Sequence, residues 1–129
     1  MSKKDDIRKA CATAIAPVFK KTFPYRPAAV RPTWLPAAFC YVEAGVPEPV
    51  GAQRYDYDAT MTIEIMVSGA GNLDEKVDQL EAEMNEILDA DDTLGGVLTS
   101  MVRSGFAYDH NPETASMTLA LSYLITYED

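Results

Sequence analysis

Among the residues of this sequence, the acidic ones have the types and spacing that come closest to a metal-binding or catalytic site. The run Asp89-Ala-Asp91-Asp92 places carboxylates at alternate positions, which is a spacing that can ligate Ca²⁺ or Mg²⁺. It lacks the glycine and the distal glutamate of an EF-hand loop, so a solvated acidic loop after a helix is the better interpretation. Asp56 and Asp58 share one strand face, but no neighbouring residue points to the raised pKa that a paired-carboxylate site needs.

The remaining candidates do not form a catalytic constellation. His110 is the only histidine, it lies in a predicted turn, and no nucleophile motif accompanies it. Gly69-Ala-Gly71 opens a helix after a strand, but it lacks the third glycine of a dinucleotide loop and the Lys-Ser/Thr of a phosphate loop. Cys11 and Cys40 fit neither a metal site nor a disulfide framework, which predicts buried, reduced thiols as in cytosolic proteins. The sequence therefore predicts no enzyme, no metal site and no cofactor.

Composition and charge exclude several other classes of protein. A length of 129 residues, 47% of them apolar or aromatic, suits a single folded domain over residues 1–129. The formal charge is −9 and Lys and Arg do not form a patch, so specific nucleic-acid binding is not expected. No apolar run is long enough for a signal peptide or a membrane span.

Periodic patterns in the N-terminal part predict a helix and a short strand. Apolar residues at three- and four-residue steps indicate an amphipathic helix of roughly 13 residues, starting near Ser2. A proline-rich segment follows, in which Tyr25 and Trp34 either anchor a loop to the body or form part of a contact surface. Residues 37–43 read as a short strand, and Gly45–Gly51 as a loop because it holds two prolines and two glycines.

The middle of the chain predicts a long strand and a second helix. Residues 55–68 alternate between apolar and polar side chains, as in a half-buried strand. Asn72 and Glu75 have the spacing of a capping box, and a one-face helix of roughly 17 residues follows them.

The C-terminal third has the clearest pattern in the chain. It predicts two strands, 97–108 and 114–127, joined by a turn at Asp109–Glu113. The second strand has apolar or aromatic residues at odd positions from Ala115 to Tyr127, and we expect those from Met117 to Tyr127 to be buried under the helices. A strand of about 13 residues spans roughly 43 Å. Unless it bends at Gly105, such a hairpin extends beyond the core of a small domain, which favours an assembly subunit.

This order of elements predicts an α+β fold. We expect a mostly antiparallel sheet of about four strands, with a mixed arrangement left open, and a long C-terminal β-hairpin. Two helices would pack on one face of that sheet.

Two strings in the C-terminal hairpin resemble the lambda-type minor tail protein U, the tail terminator family of long-tailed phages. They are Leu98-Thr-Ser-Met-Val-Arg-Ser-Gly-Phe-Ala-Tyr-Asp109 and Leu121-Ser-Tyr-Leu-Ile-Thr-Tyr-Glu128. The resemblance extends to Pro36–Gly45, to Asp58–Val67 and to the helix that follows. It implies a phage or prophage protein that forms a hexameric ring on the tail tube, stops tube polymerisation at the set length and provides a surface for head joining. Partners would be the tube protein and a head-completion or connector protein, and the protein would be located in the virion tail after assembly in the bacterial cytoplasm.

The resemblance implies a role for the net negative charge of the chain. Six copies of a −9 chain would carry about −54 around a channel through which DNA passes without specific binding. Mutual repulsion leaves open a monomeric free form. Candidates for an acidic lumen lie in and after the second helix, with an ordinary solvated surface as the alternative: Glu81, Glu83, Glu86, Asp89, Asp91 and Asp92.

Contacts with neighbouring subunits are predicted at the hairpin turn and in the Gly45–Gln53 loop. Arg103 is the one charged residue inside the first hairpin strand and is expected to form an intersubunit ion pair. The other predicted oligomer or partner contacts are Asp109, His110, Glu113, Glu48 and Arg54. Two alternatives remain open, which are another phage neck or tail-completion subunit and, more remotely, a small metal-dependent α+β enzyme.

Overall fold

Two helices and five strands make up the part of the chain that the computed structural model describes, residues 3–51 and 54–129. Short 3₁₀ turns at Ala16–Val18 and Pro32–Trp34 connect some of them. Ser2 and Gln53, which carry two of the predictions, lie outside the described residues. The elements are α1 (Lys3–Ile15), β1 (Lys21–Phe23), β2 (Ala37–Gly51), β3 (Arg54–Ser68), α2 (Leu73–Ala90), β4 (Ser100–Asn111) and β5 (Ser116–Glu128).

The five strands form one mixed sheet in the order β1-β2-β3-β5-β4. β1 pairs with β2 in parallel and the other neighbours are antiparallel, so the predicted α+β fold is confirmed. The strand count is five rather than four. Three residues in a proline-rich region are too few to produce an alternating pattern, which is why β1 was not predicted.

β2 is much longer than predicted. It continues through Gly45–Gly51, which the sequence indicated as a loop, and pairs Pro47 with Tyr57 of β3. β1 covers the outer side of β2 only as far as Phe39. Beyond Phe39 the strand lies at the sheet edge, where a proline without an N–H is tolerated. At Gly45 an added Cβ would lie 3.0 Å from the Cβ of Ala59, so the close approach of β3 favours a glycine there.

The C-terminal hairpin turns later than predicted. β4 runs to Asn111, so Asp109 and His110 lie in the strand, opposite Thr118 and Met117 of β5. The prediction of a turn at Asp109–Glu113 was wrong because cross-strand pairing overrides the local turn preference of Asp and Asn. The register shifts between Arg103 and Gly105, which is the region where a bend was expected.

The core lies between the helices and one face of the sheet. The odd positions of β5 from Met117 to Tyr127 are all buried there, as predicted. On α2 the buried side chains are Leu73, Val77, Met84 and Leu88. The predicted cap of α2 is confirmed, because Asn72 Oδ1 accepts a hydrogen bond from the Glu75 N–H at 3.1 Å.

The sheet is longer than the helices that cover it. An 18-residue helix such as α2 is about 27 Å long, whereas a 15-residue strand such as β3 is about 50 Å long. One end of the sheet therefore extends past the helices. We call residues 44–51 and 54–58 of β2 and β3 the β2–β3 tip.

Candidate assembly surfaces

The β2–β3 tip exposes apolar side chains. Val46 is 69% exposed and Val50 53% exposed. Behind them, Tyr57 stacks on Tyr127 with ring centroids 5.1 Å apart and planes 7° from parallel. This stack stabilises the pairing of β3 with β5 at the base of the tip, and exposed apolar groups beyond it are typical of contact surfaces.

Two of the predicted contact residues lie at this tip. Arg54 forms an ion pair with Glu128, which joins the start of β3 to the end of β5. Glu48 lies opposite Asp56, so two carboxylates are neighbours across the strands. Like charges in that position repel each other, and a basic partner group would relieve the repulsion.

The sheet face that points away from the helices, which we call the open face, has two parts. On the β1 side it is covered by residues 23–36, where the ring of Phe23 lies 4.9 Å from Trp34 and 5.5 Å from Phe39. Trp34 therefore anchors this segment to the sheet. Next to the first residues of β4, around Val102, the described residues leave the face uncovered, and a groove of about 550 Å³ lies there. Its apolar lining includes Val102 and Leu124, which are 60% and 55% exposed.

Polar contacts tie α2 to the hairpin on the other face. Arg103 Nη2 lies 2.6 Å from Asp89 Oδ2, and the hydroxyl of Tyr108 donates to the carboxylate of Asp78. Arg103 thus has an acidic partner within its own chain, and the predicted intersubunit ion pair stays a prediction. The hydrogen bond to Asp78 raises the pKa of Tyr108 to about 12, to which burial and nearby carboxylates also contribute.

Sequence reasoning missed the role of Asp78 and Tyr108. A usable signal was present, because Asp78, Asn85 and Asp89 are spaced seven and four residues apart and so share one helix face. Asn85 also uses that face, since it accepts a hydrogen bond from Tyr123 at 3.1 Å.

The predicted acidic residues do not all have the same role. Asp91 holds the turn after α2, where it accepts hydrogen bonds from the Thr93 hydroxyl at 2.9 Å and the Gly95 N–H at 2.8 Å. These bonds, that of the Thr93 hydroxyl first, lower the pKa of Asp91 below its ordinary value. Within residues 3–51 and 54–129, the exposed carboxylates of Glu83, Glu86 and Asp92 form no ion pair or side-chain hydrogen bond.

The remaining predicted contacts lie at the end of the sheet opposite the tip. Asp109 points to the open face and His110 to the helix face, as their partners in β5 do. Glu113 lies in the turn, where its N–H donates to Asn111 Oδ1 at 3.1 Å. Thr118, opposite Asp109, is ten residues from Glu128 along β5, a distance of roughly 33 Å. The predicted contacts therefore form two surfaces rather than one site.

The described residues also lack features of other classes of protein. No three His, Cys, Asp or Glu side chains among them are arranged to hold a metal ion. None of their helices has both the length and the apolar character that crossing a bilayer requires. Cys11 and Cys40 are both buried and free, as predicted.

Comparison with known proteins gives a family match over nearly the whole chain. The model of the family described as phage minor tail protein U matches residues 2–127. No curated protein sequence is significantly similar to the chain. Among solved structures, a chain of the virion of a native gene transfer agent particle is similar with a TM-score of 0.44 and 8% identity. That similarity covers 92% of this chain and 84% of the other.

Proposed function

The chain belongs to the phage minor tail protein U family, and on that premise we propose that it is a tail terminator. In this proposal it forms a hexameric ring on the end of the tail tube, stops tube polymerisation at the set length and offers a surface for head joining. Membership in the family makes it a structural component of a phage tail, located in the virion. We further propose that it assembles in the cytoplasm of the bacterial host and catalyses no reaction.

The observation that carries the ring proposal is the uncovered sheet. About 20 Å of the sheet extends past the helices, and that part exposes Val46 and Val50. On the β4 side of the sheet, Phe106 is 70% exposed and Val102 is 60% exposed. Apolar side chains exposed on long strands favour a chain whose final state is an assembly.

The two ends of the sheet suit two different partners. The β2–β3 tip offers apolar and paired acidic side chains, including Glu48, and the ion-paired Arg54. The opposite end offers the turn that holds Glu113, with His110 just before it. In a ring built from contacts at the lateral sides of the sheet, these ends remain for the tube protein and the head-completion protein.

An acidic channel surface is part of the same proposal. Glu83, Glu86 and Asp92 are exposed carboxylates on or just after α2, and Asp89 and Asp91 lie close to them. If the exposed side of α2 lines the channel, this charge repels DNA phosphates and lets the duplex pass without binding.

Reversing the charge of Arg103 should weaken ring assembly without unfolding the chain. Arg103→Glu removes the ion pair with Asp89. The side chains of Arg103 and Asp89 are 53% and 68% exposed, and exposed ion pairs contribute no more than about 1 kcal/mol to the free energy of unfolding. The guanidinium also has N–H groups beyond the one bonded to Asp89, which a neighbouring subunit could bind. Sedimentation velocity and chemical denaturation would measure the two effects.

Asp89→Asn is the matched control for Arg103→Glu. It weakens the same ion pair but leaves the guanidinium in place, so we expect ring assembly close to that of the unmodified protein. If Arg103→Glu assembles as well as Asp89→Asn, Arg103 does not contact a neighbouring subunit.

Deletion of the gene in its phage or prophage tests the terminator function. Without a terminator, tails should grow to abnormal lengths and fail to join heads, and supplying the intact chain from a plasmid should restore both. Electron microscopy gives the length distribution. Tails of normal length that lack heads would favour a neck or tail-completion subunit instead, and normal phage particles would rule out both roles.

A further inference from the structure

Charge is divided unevenly along the chain. Residues 1–36 contain eight Lys and Arg against two Asp, whereas residues 37–129 contain three Lys and Arg against eighteen Asp and Glu. The formal charges of these two parts are +6 and −15, which together give the −9 of the whole chain. The first part includes β1, one outer strand, and the second includes β4, the other outer strand.

The β1 side keeps lysines that are free to bind a partner. Lys20 and Lys21 are exposed at the start of β1, and neither side chain forms an ion pair or hydrogen bond with the residues that the structure describes. Of the other basic residues nearby, Arg26 lies 3.2 Å from Glu64, and Arg31 lies over the ring of Trp34. The two lysines therefore represent charge on this side that none of the described residues neutralises.

The β4 side is acidic. Asp109 and Glu113 are exposed, and neither carboxylate has a cationic partner among the described residues. The cation that β4 does contain, Arg103, is neutralised by Asp89. The pKa of Tyr108 is raised first by its hydrogen bond to Asp78 and then by burial, and the nearby carboxylates of Glu81 and Asp74 add to the shift.

The strand register aligns the two sides. Lys21 pairs with Ala37, Ala37 with Met66, Met66 with Thr118 and Thr118 with Asp109. These five residues form one row across the sheet, roughly 19 Å long at about 4.8 Å per strand. Residues paired in this way share a sheet face, so Lys21 and Asp109 both point to the open face. A copy moved sideways along that row brings its Lys21 to the neighbour's Asp109 without sliding along the strands.

We propose that copies of this chain meet head to tail, with Lys20 and Lys21 on the β1 side of one copy against Asp109 and Glu113 on the β4 side of the next. The inference rests on the ring proposed above, and it identifies the contact that closes that ring. A contact between two different surfaces generates a ring when the rotation closes. The outer strands β1 and β4 each keep one row of backbone groups outside the described sheet, which can add hydrogen bonds to the charge contact.

Charge reversal on each side, alone and together, tests this contact. Lys20→Glu with Lys21→Glu, and separately Asp109→Lys with Glu113→Lys, each place like charges across the contact. Each should raise the protein concentration needed for assembly at least about tenfold. The chain with all four substitutions restores opposite charges, so it should assemble within a few-fold of the unmodified chain. Lys3→Glu with Lys4→Glu is the matched control, because it reverses two lysines in the first turn of α1, outside the contact.

Assembly is measured by sedimentation velocity at low salt, and by rescue of tail length in the gene-deleted phage if rings form only on tails. Thermal unfolding checks that every variant is folded, as expected for exposed positions. In a mixture, the unmodified chain and the four-substitution chain should form separate rings, which native mass spectrometry resolves. Higher salt should weaken assembly of the unmodified chain, because screening acts on exposed charges.

The results separate this contact from the terminator function. If both two-residue reversals assemble and rescue tail length like the unmodified chain, the contact is wrong and the terminator function stands. If the four-substitution chain is as defective as the two-residue variants, the four residues are not partners, and the contact is again wrong. If the gene-deleted phage makes tails of normal length, the terminator function itself fails.

Discussion

Replacing Leu119 by alanine is expected to lower the free energy of unfolding by about 2–5 kcal/mol. Leu119 is the fourth residue of β5, its side chain is 0% exposed, and it packs in the core between the sheet and the helices. Removing most of the side chain loses its transfer free energy and leaves a cavity that a β-sheet can only partly close. Urea denaturation followed by circular dichroism would measure the change.

Leu124→Ala is the matched control, because it makes the same chemical change in the same strand. Leu124 points to the open face and is 55% exposed, so we expect a change within about 0.5 kcal/mol. Equal losses for the two variants would contradict the assignment of the two faces of β5. If Leu124→Ala instead weakens ring assembly while stability is unchanged, the open face takes part in a subunit contact.

Replacing Val77 by aspartate is expected to have an even larger effect. Val77 is 0% exposed on the face of α2 that packs against β3 and β5. A carboxylate there would be buried without a partner, and such a group either destabilises the fold by several kcal/mol or raises its pKa to stay neutral. Because the net stability of a domain is only about 5–15 kcal/mol, we expect most of the chain to be unfolded near neutral pH.

Ala82→Asp provides the comparison for Val77→Asp, since it introduces the same side chain at an exposed position of the same helix. We expect it to fold with little loss of stability, apart from added repulsion among the acidic residues of α2. In the gene-deleted phage, Ala82→Asp should restore tail length and Val77→Asp should not. A folded Val77→Asp protein with unchanged denaturation would mean that α2 does not pack as described.

The sequence patterns that predicted structure correctly are those that depend on residues close to each other along the chain. The steps of three and four residues in α2 gave its buried face, because residues so spaced lie on the same side of any α-helix. The Asn72 cap was also predictable, since both partners are within one turn of each other. The alternation along β5 likewise identified the core positions from Met117 to Tyr127.

Errors occurred where a partner strand decides the conformation. The segment Gly45–Gly51 contains two prolines and reads locally as a loop, but β3 pairs with it and makes it a strand. Asp109 and His110 read locally as a turn, but β5 extends the pairing past both of them. β1 is too short to have a pattern of its own and exists because the start of β2 accepts it as a parallel neighbour.

For the candidate surfaces too, some features follow from the sequence and others only from the tertiary structure. The sequence by itself determined that the chain is strongly acidic and carries most of its basic residues near the N-terminus. Only the tertiary structure decided that Arg103 pairs with Asp89, and that Lys21 and Asp109 lie at opposite ends of one row across the sheet. Lys21 and Asp109 are far apart in sequence, and hydrogen bonding between strands fixes their distance. The sequence therefore determined which charges the chain carries, and the register of the sheet decided how these two charges are arranged across it.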